Sequence, residues 1–239
     1  MARLTISVVV PTLEEAAELP ATLAALAAGA TAGGATEVLV SDSGSTDGTP
    51  ELAGRLGARV LRPPVPLTCR ADACIQGAAA AGGDVLLFLD ADTRVPNGWD
   101  AAVLAALADP EVAGGAFELT LDGAEPGLRR VEWINRLRYR RSHLFYGDQA
   151  VFARAAAYRR AGGFPAAAVL ESDLLCRRLK AEGRLVLLPL AVVSSARRFR
   201  QGGIARVFLR DAWLWLRHLL RLPNEARGRA YWAADRGRT

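Results

Sequence analysis

The chain has 239 residues, 51% of them hydrophobic and 23% charged. That is enough for one sizeable α/β domain or two small ones, and it excludes a disordered chain. Its three cysteines (Cys69, Cys74 and Cys176) have neither Cys-x-x-Cys nor zinc spacing, and it has only two histidines. This excludes a His/Cys metal centre and a disulfide framework and points to a reducing cytosol. No stretch reaches the roughly 18 apolar residues of a membrane span. The net charge of +5 conceals a split: residues 1–128 hold 6 Lys/Arg against 17 Asp/Glu, and residues 129–239 hold 24 against 8. A basic second half has an anionic partner such as phosphate, nucleic acid or a lipid surface, or is a solvated arginine-rich face.

In chain order, Ile6–Val10 reads as a strand ending in Pro11-Thr12, too short for a signal-peptide core. Glu14 to Ala28 follows with helix formers, acidic residues in its first turn and Leu19, Leu23 and Leu26 at helical spacing. Glu37 to Asp42 is a second strand ending in a carboxylate. The turn-rich Ser43 to Thr49 leads into a helix from Pro50 to Leu56. Arg59–Leu61 is a short strand, and Cys69 to Ala81 is an alanine-rich helix. Val85–Leu89, five large apolar residues fenced by Gly82-Gly83 and Asp90-Ala91-Asp92, reads as a strand buried on both faces. Gly98 to Leu107 is helical and Val112 to Leu121 a strand; no element is predicted between Asp122 and Tyr146.

This alternation predicts a mostly parallel sheet whose strand ends, Pro11-Thr12, Asp42 and Asp90, gather on one edge. Alternate residues of an extended backbone share a side, so Asp90 and Asp92 converge while Ala91 keeps clear. Carboxylates so placed suit a hard cation that also binds phosphates, Mg²⁺ or Mn²⁺. With no Gly-x-Gly-x-x-Gly after a strand and no Walker lysine, a dinucleotide-binding Rossmann domain and a P-loop enzyme are disfavoured. Thr12 to Glu18 is acidic, against the glycine-rich basic loop of a nucleotidyltransferase.

Three segments together resemble the inverting glycosyltransferases of family 2, which have the GT-A fold. They are Val9-Val10-Pro11-Thr12-Leu13-Glu14-Glu15, Asp42-Ser43-Gly44-Ser45-Thr46-Asp47-Gly48-Thr49 and Leu89-Asp90-Ala91-Asp92-Thr93. A weaker match runs through Gly115-Ala116-Phe117, Tyr146-Gly147-Asp148-Gln149, Gly162-Gly163-Phe164-Pro165 and Ser194-Ser195-Ala196-Arg197-Arg198. Those later segments resemble a bacterial subgroup named for arsenosugar biosynthesis.

The resemblance implies an α/β GT-A domain over residues 1–200, with residues 201–239 as a helical extension and basic tail. It implies a metal-dependent, inverting transfer of sugar from a nucleotide-sugar to a hydroxyl acceptor. Pro11, Thr12 and Glu15 would floor the nucleoside pocket, and Asp42 would accept from the uracil imide, which favours a UDP-linked donor. Asp90 would lie near the ribose, Asp92, with Asp90, would hold the Mn²⁺ or Mg²⁺ that bridges the diphosphate, and Arg70 would be a second charge nearby. Asp148 and Gln149 would face the acceptor. The chain departs from the family at Glu14, at Ile75 and above all at Ser172, each a place where the family carries Asn, Asn and the catalytic Asp respectively. A lone serine is a poor base. With Ser172 read as the helix cap, Glu171 on the loop side becomes the expected base and Asp173 the next choice. The alternative is a nucleotide-sugar binding or scaffold protein without turnover.

The helix predicted over Ile204–Leu222 places Arg206, Arg210, Arg217 and Arg221 within roughly 60° of each other. Arginines beside Trp213 and Trp215 fit a peripheral contact with an anionic membrane, at its cytoplasmic face, or a homodimer contact.

Overall fold

A computed structural model describes residues 4–35, 37–64, 67–165, 169–220 and 222. The sheet strands are β1 (Ile6–Thr12), β2 (Glu37–Asp42), β3 (Arg59–Leu61), β4 (Val85–Phe88), β5 (Thr93–Arg94), β6 (Val112–Leu121), β7 (Val151–Arg154) and β8 (Arg184–Ser194). They form one sheet in the order β3-β2-β1-β4-β7-β6-β8-β5. β1 runs parallel to β2 and β4, β2 to β3, and β6 to β8. β7 is antiparallel to both β4 and β6, and β5 is antiparallel to β8.

The reversed strand positions the site. β7 pairs with β4 so that Val151 faces Phe88, which brings the segment just before β7 to the edge where β4 ends. β8 runs in the direction of β4 and pairs through Ser194 with Thr93, so the segment after β8 reaches the same edge. Residues far apart in sequence, about 90, 148 and 195, therefore meet.

The strand alternation builds the core. In β1, Val8 and Val10 join one apolar layer with Leu19, Trp99 and Val103, while Val9 joins the other with Cys74, Tyr158 and Leu175. In β4, Leu87 goes to the first layer, Leu86 and Phe88 to the second. Helices α1 (Leu19–Ala28), α2 (Thr49–Arg55) and α4 (Trp99–Ala106) cover the first layer, and α3 (Arg70–Ala80) covers the second.

Several boundaries differ from the sequence prediction. α1 starts at Leu19 and not at Glu14, with Pro20 in its first turn where the missing N–H costs nothing. The acidic residues ahead of it form a loop instead. The backbone N–H groups of Glu14, Glu15 and Ala16 donate to Ser45, Thr49 and Asp47, which ties the loop after β1 to the loop after β2. α5 (Pro126–Ser142) lies where no element is predicted. Its buried side is thin, with Trp133, Ile134 and Leu137 exposed, so no clean apolar period marks it. Two short helices, α6 (Ala155–Arg160) and α8 (Arg197–Gly202), are also additional. α7 (Glu171–Leu179) begins earlier than predicted because Leu170, at φ 57°, turns the chain into the helix there. α9 (Ile204–Leu219) closes the described fold, and its Val207 packs in a third cluster with Leu128, Val131 and Phe199. Arg221 and the predicted tail, residues 223–239, lie outside the described residues.

Gly77 lets α3 lie against β1: a Cβ there would overlap the Val9 side chain, which is fully buried. Gly77→Ala is expected to destabilise the fold by about 1–3 kcal/mol through overpacking. A lower urea midpoint at unchanged slope would show it.

Candidate active site

The gathered loops enclose a cavity of about 480 Å³. The last residues of β1 supply Pro11 and Thr12, the loop after β1 supplies Glu15, and the loop after β2 supplies Ser43. Arg70 comes from the start of α3, Asp90 and Asp92 from the end of β4, and Asp148 from the 3₁₀ turn Gly147–Gln149. Glu171 and Ser172 open α7, Arg197 and Arg198 follow β8, and α9 adds Asp211 and Leu214.

Arg70 lies at the back of this cavity with its side chain only 9% exposed. Its Nε donates to Asp90 Oδ1 at 2.6 Å, and its Nη1 donates to Glu171 Oε1 at 2.8 Å and Ser172 Oγ at 3.2 Å. Burial opposes the guanidinium charge, but Asp90 and Glu171 outweigh it and hold Arg70 well above its ordinary pKa. Gly147 makes room for it, since a Cβ there would sit 2.5 Å from Arg70 Cζ. The Nη2 of Arg70 is buried and has no protein partner.

A second charge cluster faces the first. Arg197 donates to Glu15 Oε1 and stands 3.4 Å from Asp92 Oδ2. Burial, with the neighbouring Asp90, pushes the Asp92 carboxyl up to about 7. Burial raises Glu15 as well, against the pull of Arg197, and its Oε2 is buried without a partner. These are carboxylate oxygens of the type a hard cation takes. Among the described residues no group of three or more His, Cys, Asp or Glu is arranged to hold a metal unaided. An ion at Asp92 would complete its shell with oxygens of a bound phosphate and water, the usual habit of Mg²⁺.

Asp148 is the third feature. Its Oδ1 is buried with no partner, and burial, with Asp90 nearby, pushes its carboxyl up to about 6. A carboxylate tuned upward in a cavity wall is a candidate acid or base.

Residues 7–163 match the family model described as "Glycosyl transferase family 2". The chain belongs to glycosyl transferase family 2. Solved structures of the GT-A fold resemble it over most of its length. Glucosyl-3-phosphoglycerate synthase from Mycobacterium tuberculosis, in complex with Mn²⁺ and UDP-glucose, is 23% identical at a TM-score of 0.64, over 92% of this chain and 80% of that one. Mannosyltransferase PcManGT from Pyrobaculum calidifontis, in complex with GDP-Man and Mn²⁺, is 24% identical at a TM-score of 0.64, over 81% of this chain and 57% of that one. A mycobacterial protein is 23% identical at a TM-score of 0.56, over 80% of this chain. The family 2 chain spans 65% of that protein's length and 57% of PcManGT's. No curated protein matches the chain.

In this family 2 chain Pro11, Thr12, Glu15, Arg70, Asp90, Asp92, Asp148 and Glu171 all line the cavity. Asp90 and Asp92 reach it by a different geometry from the predicted one. The Asp90 carbonyl accepts from Thr93 N–H at 3.0 Å, so a tight turn, and not alternate strand positions, presents the pair. Four predicted placements need correction. Asp42 is buried and absent from the cavity wall. Its carboxylate accepts from Thr12 and Ser45 hydroxyls and from the Gly44 and Ser45 N–H groups, so it braces its own loop and presents Ser43. Gln149 is also buried away from the cavity: its amide donates to the Phe117 carbonyl and accepts from Tyr146 N–H. Asp173 points behind α7, fully buried, toward Arg177 at 2.8 Å and His218 at 3.4 Å. Ser172 does not cap α7; Leu170 holds that position, and Glu171 lies inside the first turn with its carboxylate on Arg70.

Arg197 and Arg198 are the site residues that sequence reading left without a role. Their signal was the Ser194–Arg198 segment, whose partner Asp92 lies a hundred residues earlier in the sequence.

Asp148 yields a stability prediction. A carboxyl raised to about 6 in the fold stabilises the folded state at low pH, and that contribution is lost as pH rises through about 6. Asp148→Asn is therefore expected to melt above the parent protein at pH 8, with the gap closing below about pH 6, in thermal scans across that range.

Proposed function

We propose that this enzyme transfers a sugar from a nucleoside diphosphate sugar, UDP-linked, to a hydroxyl acceptor with inversion, and that it works in the cytoplasm. The observation that carries this reading is the cavity itself, where buried carboxylates and guanidinium groups converge at the sheet edge, three of them with a polar atom that has no partner. The family supports the reaction class, the two neighbours solved with Mn²⁺ support a nucleotide-sugar donor and the ion, and the one holding UDP-glucose supports uridine. None of the three cysteines is in a disulfide, in keeping with a reducing compartment. Within the family, the later segments of the chain resemble the subgroup named for arsenosugar biosynthesis, and its catalytic domain is residues 1–200 with 201–239 as an extension.

Asp92, with Asp90 beside it, would hold Mn²⁺ or Mg²⁺; the unpartnered Glu15 Oε2 close by is an observation that fits a cation there. When bound, the ion supplies positive charge to the departing diphosphate. Arg70 Nη2 and Arg197 are the chain's own cations for the same developing charge. The nucleoside lies along Pro11, Thr12 and Ser43, with Asp42 keeping that loop in place.

The base is Asp148. Glu171 already holds Arg70, Asp173 lies outside the cavity, and the hydroxyl of Ser172 is a poor base. The Asp148 carboxylate takes the proton of the acceptor hydroxyl as that oxygen bonds to the anomeric carbon and the bond to the diphosphate breaks. Attack opposite the leaving group inverts the centre. Glu171 positions Arg70.

Three measurements test this reading. In calorimetry with Mn²⁺, Asp92→Ala is expected to lose metal-dependent binding of UDP while retaining the parent's melting profile; unchanged affinity would remove Asp92 from the metal site. UDP is expected to bind more tightly than CDP, and equal affinities would overturn the choice of uridine. Asp148→Asn is expected to lower kcat by about 10²–10⁴-fold with little change in UDP binding. The parent's rate should fall as pH drops through about 6, where Asp148 takes up a proton. Should Glu171→Gln lose turnover while Asp148→Asn keeps it, the base is Glu171. A parent protein that binds UDP yet releases it from no nucleotide-sugar would instead be a binding protein that has lost turnover at Ser172.

A further inference from the structure

α9 has two apolar sides. Val207, Leu214 and His218 lie within about 40° of one another on a helical projection and face inward, with Val207 and Leu214 buried and His218 beside Asp173. Leu209, Trp213, Leu216 and Leu220 recur at four-, three- and four-residue steps on the opposite side. They are 66%, 49%, 41% and 61% exposed. Four large apolar side chains in one outward stripe are unusual on a soluble surface and mark a contact with another phase or partner.

Charge decides which. Arg206, Arg210 and Arg217 fall within about 40° of each other along one border of the stripe, and Arg206 is exposed. The helix's only carboxylate, Asp211, is on the inner side, paired with Arg198 and with Arg210. α5, which packs beside α9 where Gly127 meets Ile204, repeats the pattern. Trp133, Ile134 and Leu137 are exposed there, together with Arg130 and Arg141, and no carboxylate stands among them. Two copies meeting on this face would each bring arginines and no acids, which disfavours a symmetric dimer.

We propose that the outer faces of α9 and α5 dock the protein on an anionic lipid surface, with the apolar stripe in the headgroup boundary and the arginines on phosphates. The inner side of α9 lends Asp211 and Leu214 to the cavity wall, so docking brings that rim of the cavity to the membrane surface. Among the described residues no helix is long and apolar enough to cross the bilayer, so the contact is peripheral.

The test is co-sedimentation of the full chain with vesicles of phosphatidylcholine alone or mixed with phosphatidylglycerol, at low and high salt. The expected result is sedimentation with the mixed vesicles only, lost at high salt. Arg206→Glu is expected to weaken partitioning about ten-fold. Leu209→Ser with Trp213→Ser is expected to abolish binding without lowering the melting temperature, because both side chains are exposed. No sedimentation at low salt, or sedimentation unchanged in the double variant, would overturn the proposal. So would a parent dimer, seen by light scattering, that the double variant breaks into monomers.

Discussion

The Arg70 guanidinium lies between Asp90 and Glu171, almost sealed from water, and three separate pieces of chain depend on it. It arrives on the first turn of α3, meets the end of β4 through Asp90, and meets the first turn of α7 through Glu171 and Ser172. A buried cation is tolerable only when its donors are met, and removing one partner of such a pair typically costs about 3–5 kcal/mol. Gly147 completes the arrangement by leaving space where any side chain would strike the guanidinium. The position of the Asp148 turn is thus linked to Arg70 from the other side.

The charge split along the chain acquires a physical meaning around this pair. Glu15 and Asp92, from the acidic first half, take Arg197 from the basic second half. Arg70, one of the few cations of the first half, takes Glu171 from the second. The two halves meet at the cavity through opposite charges in both directions. Of the other second-half arginines, six lie on α5 and three on α9, away from the cavity pairs, and further ones lie on β7, α6, α7 and β8.

Three buried polar atoms without hydrogen-bond partners meet in the cavity wall. Glu15 Oε2, Arg70 Nη2 and Asp148 Oδ1 are all buried, all without partners, and all belong to residues of one cavity. Such atoms weaken a fold unless a ligand satisfies them, and proteins retain them mainly at functional sites. Asp42 is the contrasting case: its carboxylate accepts four hydrogen bonds within its own neighbourhood, which makes it a brace for the loop and leaves it nothing to offer a ligand.

The sequence by itself determined the strands and the nature of the site. A short apolar run between glycines and aspartates has to be a buried strand with acids at its end, because burial on two faces and a polar exit are local properties. Val85–Leu89, Asp90 and Asp92 were legible for that reason, and so was the family, whose motifs sit on the first hundred residues. What the sequence could not reveal were directions and partners. Whether Glu171, Asp173 or Asp148 meets the cavity depends on where Leu170 turns the chain and on β7 running against β4. Asp173 was lost to Arg177 and His218, and Gln149 to the Phe117 carbonyl, partners supplied by packing. Arg197 acquired its role only when β8 carried it beside Asp92. Side-chain direction at a helix start changes by 100° per residue. An error of one or two positions in the boundary therefore reassigns the catalytic group, and only the tertiary contacts fix that boundary.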